Sequence, residues 1–153
     1  MAVDIKQAHR RVVEEAFGKG NLAVFDEICD PGYRSHDPVT GDADLSQEKE
    51  NCRMYRTAFP DLKPTILSSC ADGDVVVTHW RMTGTHQKAL MGIEPTGAQC
   101  TVEGITLGRF RAGKLVEDFT QWDALGLLRQ FGVAPSLGVG GGAARTGEKR
   151  PHA

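Results

Sequence analysis

Two β-patterned runs near the carboxyl end, residues 99–110 and 114–122, are joined by Arg111-Ala112-Gly113, a turn closed by a left-handed glycine. Read as a three-residue loop, that turn pairs Phe110 with Lys114 and brings Glu103, Arg109, Glu117 and Gln121 onto one face. Ile105, Leu107, Leu115 and Phe119 share that face, and Asp123 ends it. Charges among apolar side chains must pair, change protonation state or meet a ligand. A carboxyl in an apolar hollow has a raised pKa. It can move a proton at the carbon beside a carbonyl if a donor steadies the enolate oxygen. Asp123 follows Trp122 and shares its side with Phe119, which suits it to that chemistry. Gln121, two residues earlier, is placed to bond a ligand carbonyl or to orient Asp123. Two plainer readings stand beside this one: an Arg109–Glu117 ion pair at the sheet rim, and Asp123 as the cap of the helix that begins at Ala124.

Other side chains add to the set. His36 can exchange a proton with a ligand, or be a loop histidine beside Asp37. Tyr33, Met54 and Trp80, with Met82 on the same strand face as Trp80, read as pocket wall. His79 alternates with Val77 and Arg81 as a strand surface residue, and His86 ends a strand beside the loop 91–97. His9 and His152 look exposed. Gly-x-Ser-x-Gly, His-x-x-x-His and phosphate-loop patterns are absent, and Gly138–Gly142 has neither a strand before it nor a helix after it. The four cysteines are scattered without a Cys-x-x-Cys, which points to reduced, buried thiols and no metal.

These groups need a scaffold. Apolar periodicity predicts helices over 4–17, 22–29 and 45–58, the last opened by the capping box Asp44-x-x-Gln47. From residue 65 the pattern turns to β. Asp72-Gly73 marks a hairpin between 65–71 and 75–83, and a short helix, 123–131, ends at Gly132. Helices followed by a run of antiparallel strands make an α+β domain over residues 1–132, and a twisted sheet covered by helices on one face can bury a hollow. Residues 133–153, rich in Gly, Ala, Arg and Lys, read as a disordered tail. Both sheet faces are semi-apolar, so a second copy of the chain is expected to cover one of them. A net charge of −2 with no basic helix face argues against nucleic acid or an anionic membrane surface as partner. The apolar runs are too short to span a bilayer, and the amino terminus has no signal-like apolar region, so a cytoplasmic location is expected.

Gly104-Ile105-Thr106-Leu107-Gly108-Arg109-Phe110-Arg111-Ala112-Gly113-Lys114-Leu115-Val116-Glu117, running into Trp122–Gly132, resembles the carboxyl-terminal signature of the SnoaL-like polyketide cyclases, the predicted ester cyclases of the nuclear-transport-factor-two-like superfold. Tyr33–Pro38, Phe59–Leu62 and Gly84–His86 extend the resemblance over roughly residues 5–132. It implies helices on a curved antiparallel sheet, a cone-like half-barrel with an internal pocket for a small hydrophobic or polyketide-like ligand. It implies acid/base aldol-type ring closure with no cofactor. The family's acid/base Asp matches Asp123 and its early His matches His36, while a second family His falls on Arg109. Arginine stays charged and cannot exchange protons at neutral pH, though it can stabilise an enolate or bind a carboxylate. A non-catalytic binding module of the same fold, or an isomerase or hydrolase on a small hydrophobic substrate, is the alternative.

Overall fold

The structure is a computed structural model and describes residues 2–134. The expected tail therefore lies, from residue 135 on, outside the described residues. Helix α1, Ile5–Arg11, is capped by Asp4, whose side chain accepts from the Gln7 N–H. It runs into a π-helical segment, Val12–Phe17, where the sequence pattern predicted an unbroken α-helix. Helices α2 (Ala23–Ile28) and α3 (Leu45–Ala58) follow, the latter capped by Asp44 accepting from the Gln47 N–H at 2.9 Å. Strands β1 (Cys29–Asp37), β2 (Gly41–Asp44), β3 (Lys63–Asp72), β4 (Val75–Thr85), β5 (Gln99–Arg111) and β6 (Lys114–Trp122) precede the closing helix α4, Ala124–Gln130. None of the described helices is long and apolar enough to cross a membrane.

The six strands form one sheet in the order β2-β1-β6-β5-β4-β3. It is mixed, because β1 lies parallel to β6 while every other pair is antiparallel. Local pattern predicted the 65–122 strands; β1 pairs both with its neighbour β2 and with β6, some 80 residues downstream. Register shifts in the β1/β6, β3/β4 and β5/β6 pairs bend the sheet around the helices.

The β5–β6 turn is two residues long, not three. Arg111 pairs with Lys114 across Ala112 (φ 50°) and Gly113 (φ 77°), the positive-φ pair that suits the strand twist. A bulge between Arg109 and Phe110 then sets Arg109 opposite Glu117, Leu107 opposite Phe119 and Ile105 opposite Gln121. The bulge also turns Leu115 away from that set: it pairs with Phe110 and is fully buried under the helices.

The helices cover the opposite, even-numbered face. Val12, Val24, Phe25, Tyr33, Val76, Phe110 and Leu115 form one buried cluster, and Phe59, Leu90, Cys100, Leu127 and Phe131 form a second. Small residues on β5 make room. A Cβ on Gly104 would lie 2.4 Å from the Trp80 ring, and one on Gly108 would lie 2.9 Å from His9 and 3.0 Å from Asp118.

Candidate functional site

Between the two clusters lies a cavity of about 120 Å³. Its walls are mostly apolar: Val12, Val13 and Phe17 from the π-helical segment, Phe25 from α2, Phe59 after α3, and Met82 and Val102 from the sheet. A π turn is wider than an α turn and is common at functional sites. Here it sets the consecutive Val12 and Val13 together with Phe17 against the hollow.

Three carboxyl groups reach this cavity: Asp37, Glu48 and Asp118. No described residue that lines it is Lys or Arg. Asp118 is buried in β6. Its Oδ2 accepts from the Tyr33 hydroxyl at 2.9 Å, and its Oδ1 accepts from His9 Nε2 at 3.1 Å. The other ring nitrogen, His9 Nδ1, lies 2.8 Å from the Thr78 hydroxyl, within hydrogen-bond reach. Burial, with the Asp118 charge beside it, holds the Tyr33 phenol well above its ordinary pKa and so neutral. Asp37 Oδ1 accepts from the backbone N–H of Val39 and Thr40, and its Oδ2 accepts from Trp122 Nε1 at 3.0 Å.

Glu48 differs. It stands on the cavity-facing stripe of α3, one turn before Asn51 and two before Tyr55. Its Oε2 accepts from Ser35 Oγ at 2.9 Å and from Asn51 Nδ2 at 3.2 Å. Loss of water around the carboxyl pushes its pKa up to about 7. The charges of Asp118 and Asp37 add to the rise, and the two hydrogen bonds oppose it. A carboxyl that is half-protonated near neutrality can both take and give a proton there.

The residues singled out from sequence divide. Tyr33 and Trp80 line the cavity, Trp80 donating from Nε1 to Thr106 Oγ1 at 3.0 Å. Met54 is half-buried beside the second cluster, away from the cavity wall. The face built from Arg109, Glu117, Phe119 and Gln121 is the outer face of the sheet. Phe119 is 40% exposed, Ile105 is 49% exposed, and Arg109 and Gln121 are exposed. The sequence reading put the pocket on this face because both faces carry apolar residues; the helices settle on the other, where Gly104, Thr106 and Gly108 leave space. Glu117 lies opposite Arg109, yet its carboxylate meets His36.

His36 sits at the cavity rim. Its Nδ1 is 2.8 Å from Asp42 and its Nε2 is 3.0 Å from Glu117, and its ring stacks on Phe119 with centroids 4.6 Å apart. Those two carboxylates raise its pKa. Asp123 is exposed, caps α4 by accepting from the Gly126 N–H at 2.8 Å, and does not line the cavity. His79 pairs with Glu103 at 3.2 Å on the outer face, whereas His86 is fully buried between Phe59 and Phe131.

Sequence reasoning passed over Glu48, Asp118, Asp37, Tyr55 and His9. Two signals were present. Glu48, Cys52, Tyr55 and Phe59 recur at helical spacing, which places a carboxyl in an apolar stripe. His9, read as exposed, lies three residues before Val12 and is 1% exposed, because its stripe meets both sheet and neighbouring helix.

The chain has relatives of known structure. A candidate SnoaL-like polyketide cyclase from Jannaschia sp. CCS1 is 25% identical. It superposes with a TM-score of 0.77 over 85% of this chain and 92% of its own. A candidate polyketide cyclase from Acidithiobacillus ferrooxidans is 30% identical, with a TM-score of 0.73 over 88% of this chain and 100% of its own. IdmH, a candidate polyketide cyclase from Streptomyces antibioticus, is 28% identical, with a TM-score of 0.71 over 83% and 99%. No curated protein sequence matches the chain significantly. The sequence model of the SnoaL-like polyketide cyclases matches residues 7–131, and with the helix-covered sheet around its cavity this chain belongs to that family.

Proposed function

We propose that the cavity is the active site of a cofactor-independent cyclase acting on a small, mostly apolar carbonyl compound, with Glu48 as the group that moves the proton. The Glu48 carboxylate removes a proton from the carbon beside one carbonyl. The resulting enolate carbon bonds to a second carbonyl carbon of the same molecule, and the new alkoxide takes the proton back from the Glu48 carboxyl. Nothing is gained or lost, so no co-reactant is required. The single observation that carries this reading is a carboxyl in an apolar cavity whose pKa sits at about 7. Asp118, locked between Tyr33 and His9, supports that wall of the cavity, and Asp123 serves as the α4 cap.

Proton abstraction can be read without the natural substrate. Exchange of the C2 protons of 1-indanone for deuterium, followed by NMR, is expected to be accelerated by the protein. Glu48→Gln is expected to slow it by about two orders of magnitude or more, the usual contribution of a positioned proton carrier. Exchange that survives in Glu48→Gln but is lost in Asp123→Asn would return the role to the strand-end carboxyl. A ligand held without any exchange would favour a binding module.

We also infer that the outer sheet face receives a second copy of the chain, because Ile105 and Phe119 stand exposed there among the Arg81–Glu103 and His36–Glu117 pairs. Sedimentation should report a dimer that Ile105→Glu converts to a monomer.

A further inference from the structure

Tyr55 lines the cavity, yet its hydroxyl oxygen is buried and makes no hydrogen bond to any described protein group. Its surroundings offer acceptors within electrostatic range: the charges of Asp37 and Glu48 both act on the phenol, and together with burial they keep it neutral. Neither carboxyl takes its proton in a hydrogen bond. Glu48 accepts from Ser35 and Asn51, both at Oε2, and Asp37 accepts from Val39, Thr40 and Trp122. The ring itself is fixed edge-on to Trp122, with centroids 6.1 Å apart at 89°, and Trp122 is in turn tied to Asp37. The site therefore presents one oriented, unused O–H donor on the helix that carries Glu48, two turns away. Leaving such a group unpaired in an apolar enclosure costs free energy, and a ligand that meets it recovers that cost.

We propose that Tyr55 is a specificity-determining residue of the cavity, and that its hydroxyl selects ligands carrying an uncharged oxygen acceptor, a ketone, ester or quinone carbonyl. The proposal rests on the reading of the cavity as a ligand site. The charge pattern narrows the class. With Asp37, Glu48 and Asp118 on the walls, neither Lys nor Arg among the described lining residues, and the rim His36 already paired with Asp42 and Glu117, the cavity offers a free carboxylate or phosphate no unpaired cationic partner. A neutral carbonyl accepts from Tyr55 without adding charge. The cavity volume, close to that of engineered cavities that hold benzene, suits a body of about one aromatic ring near Tyr55.

Acetophenone and ethylbenzene differ by the carbonyl oxygen and serve as the probes. Their dissociation constants are measured for the wild-type protein and for Tyr55→Phe, and the quantity read is the change in their ratio. The phenol-to-phenyl change is expected to weaken acetophenone about fivefold relative to ethylbenzene, the yield of one hydrogen bond of about 1 kcal/mol. Ethylbenzene affinity should stay unchanged, which also reports that the variant is folded. The infrared stretch of ¹³C-carbonyl-labelled acetophenone should lie lower in the wild-type complex than in Tyr55→Phe. An unchanged ratio, or one stretching frequency in both proteins, overturns the proposal while leaving Glu48 and its proton-exchange test untouched. Failure of both probes to bind the wild-type protein overturns this proposal and the ligand-site reading together.

Discussion

Glu117 and Asp118 are neighbours on β6, and because successive side chains alternate they point to opposite faces of the sheet. Each meets a histidine at nearly the same distance: Glu117 to His36 at 3.0 Å, and Asp118 to His9 at 3.1 Å. The geometry is alike and the surroundings are not. His36 and Glu117 are each about one-third exposed, and Asp42 adds a second carboxylate. His9 and Asp118 are sealed beneath the helices, with Tyr33 and Thr78 completing their hydrogen bonds. Water screens the outer pair, so it contributes little to stability, whereas each inner group depends on its partners for nearly all of its solvation. Sequence composition weighs the two pairs equally; the position of the helices separates them.

The sharpest way to break this comparison is to delete each carboxylate. Asp118→Ala strands a buried imidazole and a buried phenol, and chemical denaturation should show a loss on the order of 3–5 kcal/mol. A loss below about 1 kcal/mol would mean that the inner network is solvated after all.

The next effect is a pH dependence. Glu48 binds its proton more tightly in the folded protein, with a pKa of about 7 against an ordinary value of 4.5. Between those values the native state holds more protons than the unfolded chain, so stability falls as pH rises through that window. The 2.5-unit difference corresponds to an amplitude on the order of 3 kcal/mol. Glu48→Gln should flatten the profile. His36 acts in the same direction, since its stabilisation is present below its ordinary pKa and is lost as pH rises through the raised value, so only the Glu48 variant isolates the cavity carboxyl.

The smallest change is expected outside. Glu117→Ala should cost less than about 1 kcal/mol and lower the His36 pKa, measured by NMR titration, because one of its two carboxylate partners is gone. A loss as large as that of Asp118→Ala would erase the distinction between the faces.

The places of the turns and helices were legible because their signals are local, although the β5–β6 turn is one residue shorter than expected and the first helix passes into a π-helical segment. Asp72-Gly73 gave the β3–β4 hairpin, Asp44-x-x-Gln47 the start of α3, and the Gly104–Gly132 stretch the family. The site was only partly legible. Tyr33 and Trp80 were placed on the wall, but the cavity carboxyl was sought at Asp123, where the strand pattern ends, whereas the carboxyls that line the cavity are Asp37, Asp118 and Glu48, the last inside a helix whose mean composition is polar. The error came from choosing between two semi-apolar sheet faces. That choice depends on where helices dock and on one bulge at Arg109–Phe110, neither of which leaves a periodic trace.

The parallel pairing of β1 with β6 has a consequence for how the protein is made. Tyr33 and Asp37 meet partners 85 residues downstream, and His9 meets one 109 residues downstream. At ribosomal rates of about 5–20 residues per second, the first helix must wait roughly 5–20 s before Asp118 is even synthesised. Until then His9 has no carboxylate and the chamber has no floor. Ligand capture therefore belongs to the finished chain, and a nascent chain stalled before Lys114 would present its greasy helix faces to chaperones instead.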